Sequence, residues 1–149
     1  MIYMPYSLHQ TVITPATGKQ TAPIPLYGHK VEAGFPSPAD DYIEGRLSLD
    51  THLIQHRDAT FFVRAKGNSM VGAGIFDGDL LVVDRSLTPS SGDIVIAVLD
   101  AELTVKRFIQ RDELVILKPE NPDFKEIILQ EGQELQVWGV VTSTIKKFI

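Results

Sequence analysis

Hydrophobic positions gather in short runs over most of the chain. From residue 60 onward these runs are rich in branched and aromatic side chains, and Gly, Asp or Pro residues divide them. Runs of this kind are typical of β-strands in a compact sheet. The predicted strands cover residues 60–65, 80–83, 94–99, 102–109, 114–117, 126–129 and 135–141. The pattern therefore predicts a mostly-β domain over residues 38–149.

Two smaller elements follow from local residue chemistry. Asp100 and Ala101 stand between two of the predicted strands, which indicates a hairpin, although Ala is a weaker turn residue than Gly. A short helix is expected with Asp50 as its N-cap, continuing through His56. We find no internal repeat and no heptad pattern in the sequence.

The first 40 residues have a different composition from the rest. They contain six of the nine prolines. Proline fixes φ, removes a backbone donor and favours extended geometry in the residue before it. We expect residues 1–37 to form a flexible, extended arm with little regular structure, attached to the domain at 38–149.

Composition and charge narrow the class of protein. The 149 residues are 44% hydrophobic and 22% charged, which suits one globular domain. No apolar run reaches the roughly 20 residues of a membrane-spanning helix, and no secretory signal is evident, so a cytoplasmic protein is expected. The chain has no cysteine, which excludes disulfides and thiolate catalysis. A net charge of −5 disfavours tight direct binding to DNA.

Ser69 is the first candidate for chemistry. It lies just after a predicted strand, and the small-residue stretch 71–74 follows it. A turn of this kind can present a hydroxyl beside unpaired backbone N–H groups, as an oxyanion hole requires. A polar turn serine is the commoner interpretation of such a fragment, and a serine needs a base to become a nucleophile.

Lys106 is the candidate base, in a predicted strand where Glu102, Thr104 and Phe108 share its face. A lysine in a strand usually points to solvent, where a pKa of about 10.4 leaves only about 0.04% neutral at pH 7. Lowering the pKa to about 7 requires roughly 4 to 5 kcal/mol, which burial without a carboxylate can supply. The residues by themselves lead to a candidate Ser–Lys pair, and a solvated lysine remains the alternative.

Two other groups of residues carry weaker signals. Asp77, Gly78 and Asp79 resemble part of a calcium loop but lack its later ligands, so turn chemistry is the favoured interpretation. His52 and His56 are four residues apart, yet no carboxylate accompanies them as a zinc site requires. No metal or other cofactor is expected.

An ordered series of motifs resembles the UmuD-type proteins of the LexA/signal-peptidase class of serine peptidases. The resemblance begins at residues 33–38, which match that family's cleavage-site segment, and Gly67–Met70 matches its nucleophile motif. The other matching segments are residues 41–44, 53–56, 77–81, 92–95, 104–107, 118–122 and 137–141. Because the motifs occur in order over residues 33–141, they favour the functional interpretation of Ser69 and Lys106.

The resemblance implies a LexA-like β-fold and self-cleavage between Ala33 and Gly34. Ser69 would be the nucleophile and Lys106 its general base, with the backbone N–H groups of Ser69 and Met70 as the oxyanion hole. It also implies an SOS mutagenesis factor that is cleaved on a RecA–single-stranded DNA filament. The processed homodimer would then join a UmuC-like translesion DNA polymerase.

Three alternatives share parts of this pattern. A LexA- or phage-type repressor has the same peptidase domain, but the proline-rich residues 1–33 show no helix-turn-helix pattern. A membrane signal peptidase is disfavoured because no anchor segment is found. An interaction module with an inactive dyad is disfavoured because both Ser69 and Lys106 are present.

Overall fold

The computed structural model describes residues 22–28, 30–31, 33–34 and 43–149. The chain divides into two compact units, Met1–His52 and Leu53–Ile149. In the first unit, β1 (Ile24–Tyr27) pairs antiparallel with β2 (Ile43–Leu47). This pairing was not predicted, because Pro25 lies inside β1. Proline is compatible with a strand that is paired on one side only.

Helix α1 (Leu49–Leu53) is shorter than predicted, and its predicted cap is wrong. The helix already begins at Leu49, so Asp50 lies in its first turn, where a negative charge is favourable. The His52 N–H donates to the Ser48 carbonyl at 2.9 Å. His56 lies beyond the end of the helix, so the two histidines do not share a helical face.

The second unit is built on a seven-stranded sheet in which each neighbouring pair is antiparallel. The strand order is β3-β4-β9-β5-β6-β7-β8. The strands are β3 (Thr60–Arg64), β4 (Leu80–Asp84), β5 (Ile94–Leu99), β6 (Glu102–Arg111), β7 (Leu114–Lys118), β8 (Ile127–Ile128) and β9 (Leu135–Ile145). Short 3-10 turns occupy Arg57–Ala59 and Val71–Ala73. The mostly-β prediction is confirmed, and each predicted strand overlaps one of these seven. The predicted arm and domain boundary near residue 37 stays a prediction.

The hairpin predicted at Asp100 and Ala101 is present between β5 and β6. Both residues have positive φ, at 47° and 68°, as a two-residue turn with the twist of the strands requires. The turn places Lys106 of β6 opposite Val95 of β5. The position of the candidate base is thereby fixed by a regular antiparallel ladder.

The core covers both faces of the central strand β5. Val95 and Ala97 belong to a cluster with Phe108, whereas Ile96 belongs to a second cluster with Trp138. Alternate residues of a strand point to opposite faces, which is why one apolar run serves two clusters. The second cluster also contains Ala65 and Met70, the residues that flank the Ser69 turn.

Candidate active site

The Ser69 turn is fixed at its start by backbone hydrogen bonds beyond β3. Ala65 N–H donates to the Asp79 carbonyl, and Gly78 N–H donates to the Ala65 carbonyl, both at 2.8 Å. Gly67 then reverses the chain at a φ of +84°, a conformation that favours glycine. Its N–H donates to the Asp77 carboxylate at 2.7 Å.

The end of the turn is fixed by Met70, whose side chain is only 2% exposed. The Met70 carbonyl accepts the N–H groups of Ala73 at 3.0 Å and Ile75 at 3.2 Å. Within the described residues, the N–H groups of Ser69 and Met70 donate no hydrogen bond. Two backbone donors therefore remain available beside the Ser69 hydroxyl.

The structure brings Lys106 to this turn, 37 positions along the chain from Ser69. Its Nζ lies 3.1 Å from Ser69 Oγ and 2.8 Å from Thr104 Oγ1. The third contact is the Val105 carbonyl oxygen at 3.0 Å. None of these three acceptors is a carboxylate.

Burial lowers the pKa of Lys106 from its ordinary value, because a buried ammonium loses its hydration. A neutral amine has two N–H donors and one lone pair. The Val105 carbonyl can only accept, and the Thr104 hydroxyl can accept a second N–H. The lone pair can then face Ser69, so the arrangement accommodates a neutral lysine that takes the hydroxyl proton.

A cleft of about 220 Å³ opens beside the pair. One wall is residues 63–66, which are the end of β3 and the two residues after it, and the other is the start of β6 from Leu103 to Lys106. Residues 102–106 of β6 pair with β5 but not with β7, whose ladder begins at Arg107. Within the described residues, the cleft therefore borders a strand edge that no second strand covers, which suits an extended peptide.

A further contact at this site was missed by sequence reasoning. The Glu120 N–H donates to the Ser69 carbonyl at 2.8 Å, and the Gly72 N–H donates to the Glu120 carbonyl at 2.7 Å. Asn121 Nδ2 donates to the Asn68 carbonyl at 2.8 Å. The sequence signal is Gly72, where an added Cβ would lie 2.6 Å from the Glu120 carbonyl oxygen.

The other predicted groups have structural partners. The Asp77 carboxylate accepts the hydrogen bond from the Gly67 N–H. The buried Asp79 carboxylate accepts hydrogen bonds from Lys146, from the Thr144 hydroxyl and from the Phe76 N–H. The hydrogen bond from Lys146, followed by that from the Phe76 N–H, lowers the pKa of Asp79. The turn interpretation of these aspartates thus has specific hydrogen bonds behind it.

His56 belongs to a separate hydrogen bond, in which its Nδ1 lies 2.6 Å from Asp84 Oδ2. Asp84 is desolvated by burial, but hydrogen bonds from Ser86 and from His56 outweigh this and lower its pKa. In the part of the chain that the structure describes, no group of three His, Cys, Asp or Glu side chains is placed to hold a metal ion.

Ala33 and Gly34 belong to the first unit, and both are exposed. A Cβ added at Gly34 would have open space around it. The rest of the matching segment, residues 35–38, and the motif residues 41–42 lie outside the described residues.

Among the described residues, no helix is both long and apolar enough to cross a membrane.

Comparison with known proteins identifies the family of the chain. The model of the Peptidase S24-like family matches residues 25–142, which include both Ser69 and Lys106. The chain belongs to the Peptidase S24-like family. It is thereby a serine peptidase of the self-cleaving UmuD/LexA class that acts in SOS mutagenesis, as the sequence predicted.

Individual relatives of this S24-like chain match most of its length. SamA of Salmonella typhimurium is 44% identical over 136 residues, covering 91% of this chain and 94% of SamA. ImpA of Escherichia coli is 46% identical over 125 residues, covering 83% of each protein. The LexA repressor of Citrifermentans bemidjiense is 39% identical over 136 residues, covering 91% of this chain and 67% of the repressor.

Proposed function

We propose that Ser69 and Lys106 form a Ser–Lys dyad that cleaves this chain between Ala33 and Gly34. The observation that carries the proposal is the 3.1 Å contact between Lys106 Nζ and Ser69 Oγ, made by a lysine that burial pushes toward neutrality. A serine with an adjacent unprotonated base is the usual arrangement of an activated nucleophile.

In the first step, the neutral Lys106 amine takes the Ser69 proton while Oγ bonds to the Ala33 carbonyl carbon. The carbonyl oxygen becomes an oxyanion, which the N–H groups of Ser69 and Met70 stabilise. The Lys106 ammonium then donates its proton to the Gly34 nitrogen as the C–N bond breaks. The products are the amine of Gly34 and an ester between Ala33 and Ser69.

Hydrolysis of the ester completes the reaction. Lys106, again neutral, takes a proton from water as the hydroxide oxygen attacks the ester carbon. The ammonium then returns the proton to Ser69 Oγ as the ester breaks, which leaves a carboxylic acid at Ala33 that releases its proton to solvent as a carboxylate. The small side chain of Ala33 and the absence of one at Gly34 let the backbone approach Ser69 closely.

We assign the reaction to a cytoplasmic step of the SOS response. A RecA–single-stranded DNA filament would stimulate cleavage, and the processed chain would form a homodimer that joins a UmuC-like translesion DNA polymerase. The charge supports contact with DNA through these proteins. Loss of Lys19, Lys30 and Glu32 leaves 12 basic and 18 acidic residues in the 34–149 product, so counterion release contributes little affinity.

A LexA-type repressor is the alternative that the 39% identity to the Citrifermentans protein favours. It would use the same peptidase chemistry but would bind DNA itself. Fluorescence anisotropy with labelled single- and double-stranded DNA separates the two. We expect only weak binding that is lost at modest salt, and submicromolar binding by the full, uncleaved chain would support the repressor instead.

Incubation of the full chain at rising pH tests the proposed chemistry without a partner. The neutral fraction of a lysine rises about tenfold for each pH unit below its pKa, so the cleavage rate should climb and then level off. Mass spectrometry should find a product that begins at Gly34. Ser69→Ala should remain folded and uncleaved, whereas cleavage of that variant at the wild-type rate would contradict the assignment.

A control on the scissile bond uses a second substitution. Gly34→Leu should slow cleavage because a bulky side chain obstructs the approach of the backbone to Ser69. Since Gly34 is exposed with open space around it, the substitution should leave the unfolding transition unchanged. A product that begins at another residue of the arm would point to a different protease.

A further inference from the structure

The Ser69 turn is held against a second segment that takes no part in the reaction. Two backbone hydrogen bonds join Glu120 to Ser69 and Gly72, on either side of Met70. These bonds fix the main chain of the nucleophile. A displacement of the Glu120 backbone would therefore be passed to the Ser69 turn.

Arg107 holds Glu120. Its Nε donates to Glu120 Oε1 at 2.6 Å, and its Nη1 donates to the Gly92 carbonyl at 2.6 Å. The two side chains are 29% and 23% exposed, so solvent competes only partly with the pair. The planar guanidinium, engaged on two atoms, allows little reorientation of the Glu120 side chain.

Arg107 itself sits where β6 is paired on both sides. It lies opposite Ile94 of β5 and Lys118 of β7. It is also the chain neighbour of Lys106. The contacts therefore close a ring that runs from Lys106 to Ser69, to the Glu120 backbone, through the Glu120 carboxylate to Arg107, and back to Lys106.

We propose that Arg107 and Glu120 are positioning residues that set the separation of Ser69 Oγ and Lys106 Nζ through the Glu120 backbone. Neither side chain touches a reacting atom. The inference rests on the proposed dyad and adds to it the residues that keep it aligned. A shift of about 1 Å at a reacting group can cost about 100-fold in rate, so the ring has a measurable effect.

Gly72 offers a probe of the same ring that leaves both charges in place. An added Cβ at Gly72 would lie 2.6 Å from the carbonyl oxygen of Glu120, too close for any real contact. The Gly72 backbone is not in the left-handed region, so alanine is acceptable there apart from this contact. Gly72→Ala should therefore push the Glu120 backbone away from the Ser69 turn.

The test measures the rate of self-cleavage of the full chain from about pH 7 to pH 11. Glu120→Ala, Arg107→Gln and Gly72→Ala should each lower the plateau rate about 10- to 100-fold without moving the pH midpoint. Glu120→Gln, which keeps an acceptor oxygen, should recover part of the loss. Because the pair acts as a unit, Arg107→Gln with Glu120→Ala should lose no more than the worse single variant.

His56→Ala is the matched control, since it removes one member of another 2.6 Å side-chain contact, that with Asp84. It should cleave at the wild-type plateau rate. The folded fraction of each variant is measured by the fluorescence of Trp138, the single and buried tryptophan. A rate loss that merely matches the unfolded fraction would show a structural role and overturn the inference.

Two further outcomes separate this inference from the dyad itself. Wild-type plateau rates in both Glu120→Ala and Gly72→Ala would overturn the positioning role. A shifted pH midpoint would also overturn it, because the variants would then act by changing the burial of Lys106. A wild-type chain that fails to cleave at any pH, or a Ser69→Ala chain that does cleave, would instead remove the proposed function.

Discussion

Two lysines of the second unit make specific contacts within the fold, but the groups they contact differ. Lys146 is paired with the buried Asp79 carboxylate and lies over the Phe76 ring, 4.6 Å from its centroid. Among the residues that the structure describes, Lys106 contacts two hydroxyls and one carbonyl, and no carboxylate. The first environment stabilises an ammonium, and the second does not.

The difference separates a structural lysine from a candidate base. An opposite charge within hydrogen-bond reach favours the charged form, whereas burial without such a charge disfavours it. The Asp79 partner benefits in turn, because the hydrogen bond from Lys146 lowers the pKa of Asp79. At Lys106 burial alone acts, and it lowers the pKa of the amine. Burial can thus lower the pKa of a catalytic lysine only where no carboxylate contacts the amine.

Removal of Lys106 should give the largest effect. Lys106→Met should lose about 10²- to 10⁴-fold in the cleavage rate, the usual contribution of a general base. Because folding lowers the pKa of Lys106, the unfolded chain binds the proton more tightly than the folded chain does. This difference costs stability at neutral pH. The cost is relieved as pH rises through the folded pKa. Lys106→Met should therefore raise the free energy of unfolding at neutral pH by about 0.5 to 2 kcal/mol.

Urea unfolding followed by Trp138 fluorescence measures that gain. Lys106→Arg serves as the control, because a guanidinium keeps its charge throughout this pH range. It should be as inactive as Lys106→Met without being stabilised. A Lys106→Met chain that is less stable than wild type at neutral pH would contradict the inference that burial of Lys106 destabilises the folded chain.

A carboxylate placed beside Lys106 should convert the second environment into the first. Thr104 Oγ1 lies 2.8 Å from Lys106 Nζ, so Thr104→Asp would give the amine an opposite charge. The pKa of Lys106 should rise, and the rate at about pH 8 should fall about 10- to 1000-fold and recover in more alkaline solution.

Thr104→Asn is the matched control for that change, since it has the shape of aspartate without its charge. Its pH midpoint should stay close to that of wild type. The pH–rate profile of both variants, followed by gel or mass spectrometry, decides the matter. Equal profiles for Asp and Asn at position 104 would show that charge does not govern the base.

The converse change acts on the paired lysine. The pKa of Asp79 is lowered in the folded chain, so its charge stabilises the fold above the ordinary carboxyl range, and that stability is lost as pH falls through the folded pKa. Asp79→Asn should lower stability at neutral pH and flatten the decline of stability in acid, below about pH 4. The alkaline cleavage profile should be unchanged, because Lys106 does not contact Asp79.

Denaturant unfolding at several acid pH values measures the slope. Asp93→Asn is a suitable control, because the Asp93 carboxylate accepts only the Ser90 N–H in the part of the chain described here. It should retain the wild-type decline. An unchanged slope in Asp79→Asn would mean that the Lys146 pair contributes little to the acid stability of the fold.

The strands were predictable because each is a local run with its own period and turn residues. The positive φ of Asp100 and Ala101 completes a hairpin that the sequence already indicated. The β1–β2 pairing was missed because Pro25 argues against a strand, whereas among the described residues β1 is paired on one side only, where proline is tolerated. The helix boundary at Asp50 was wrong because cap residues also occur in the first turn of a helix.

The candidate site was only partly predictable for a physical reason. Ser69 and Lys106 were connected through the family resemblance, since no local pattern encodes a contact across 37 positions. The Glu120 contacts with Ser69 and Gly72 were invisible because backbone hydrogen bonds leave no side-chain signature. Only the steric demand on Gly72 marks them in the sequence.

The smallest expected effect separates the general stability of β6 from the charge state of the lysine it carries. Ala101 has a φ of 68°, which strains a residue with a Cβ and is relaxed in glycine. Ala101→Gly should stabilise the fold by about 0.5 to 1 kcal/mol, after the greater flexibility of glycine in the unfolded chain is set against the relief of strain. Ala101→Val, which increases the strain, is the opposing control, and urea unfolding ranks the three proteins.

The cleavage midpoint should be the same in all three, because the hairpin turn changes neither the burial of Lys106 nor its three acceptors. If the pH midpoint of cleavage instead changed together with the free energy of unfolding, the pKa of Lys106 would depend on the stability of the whole fold. The contrast with Lys146, which rests on the local presence or absence of a carboxylate, would then fail.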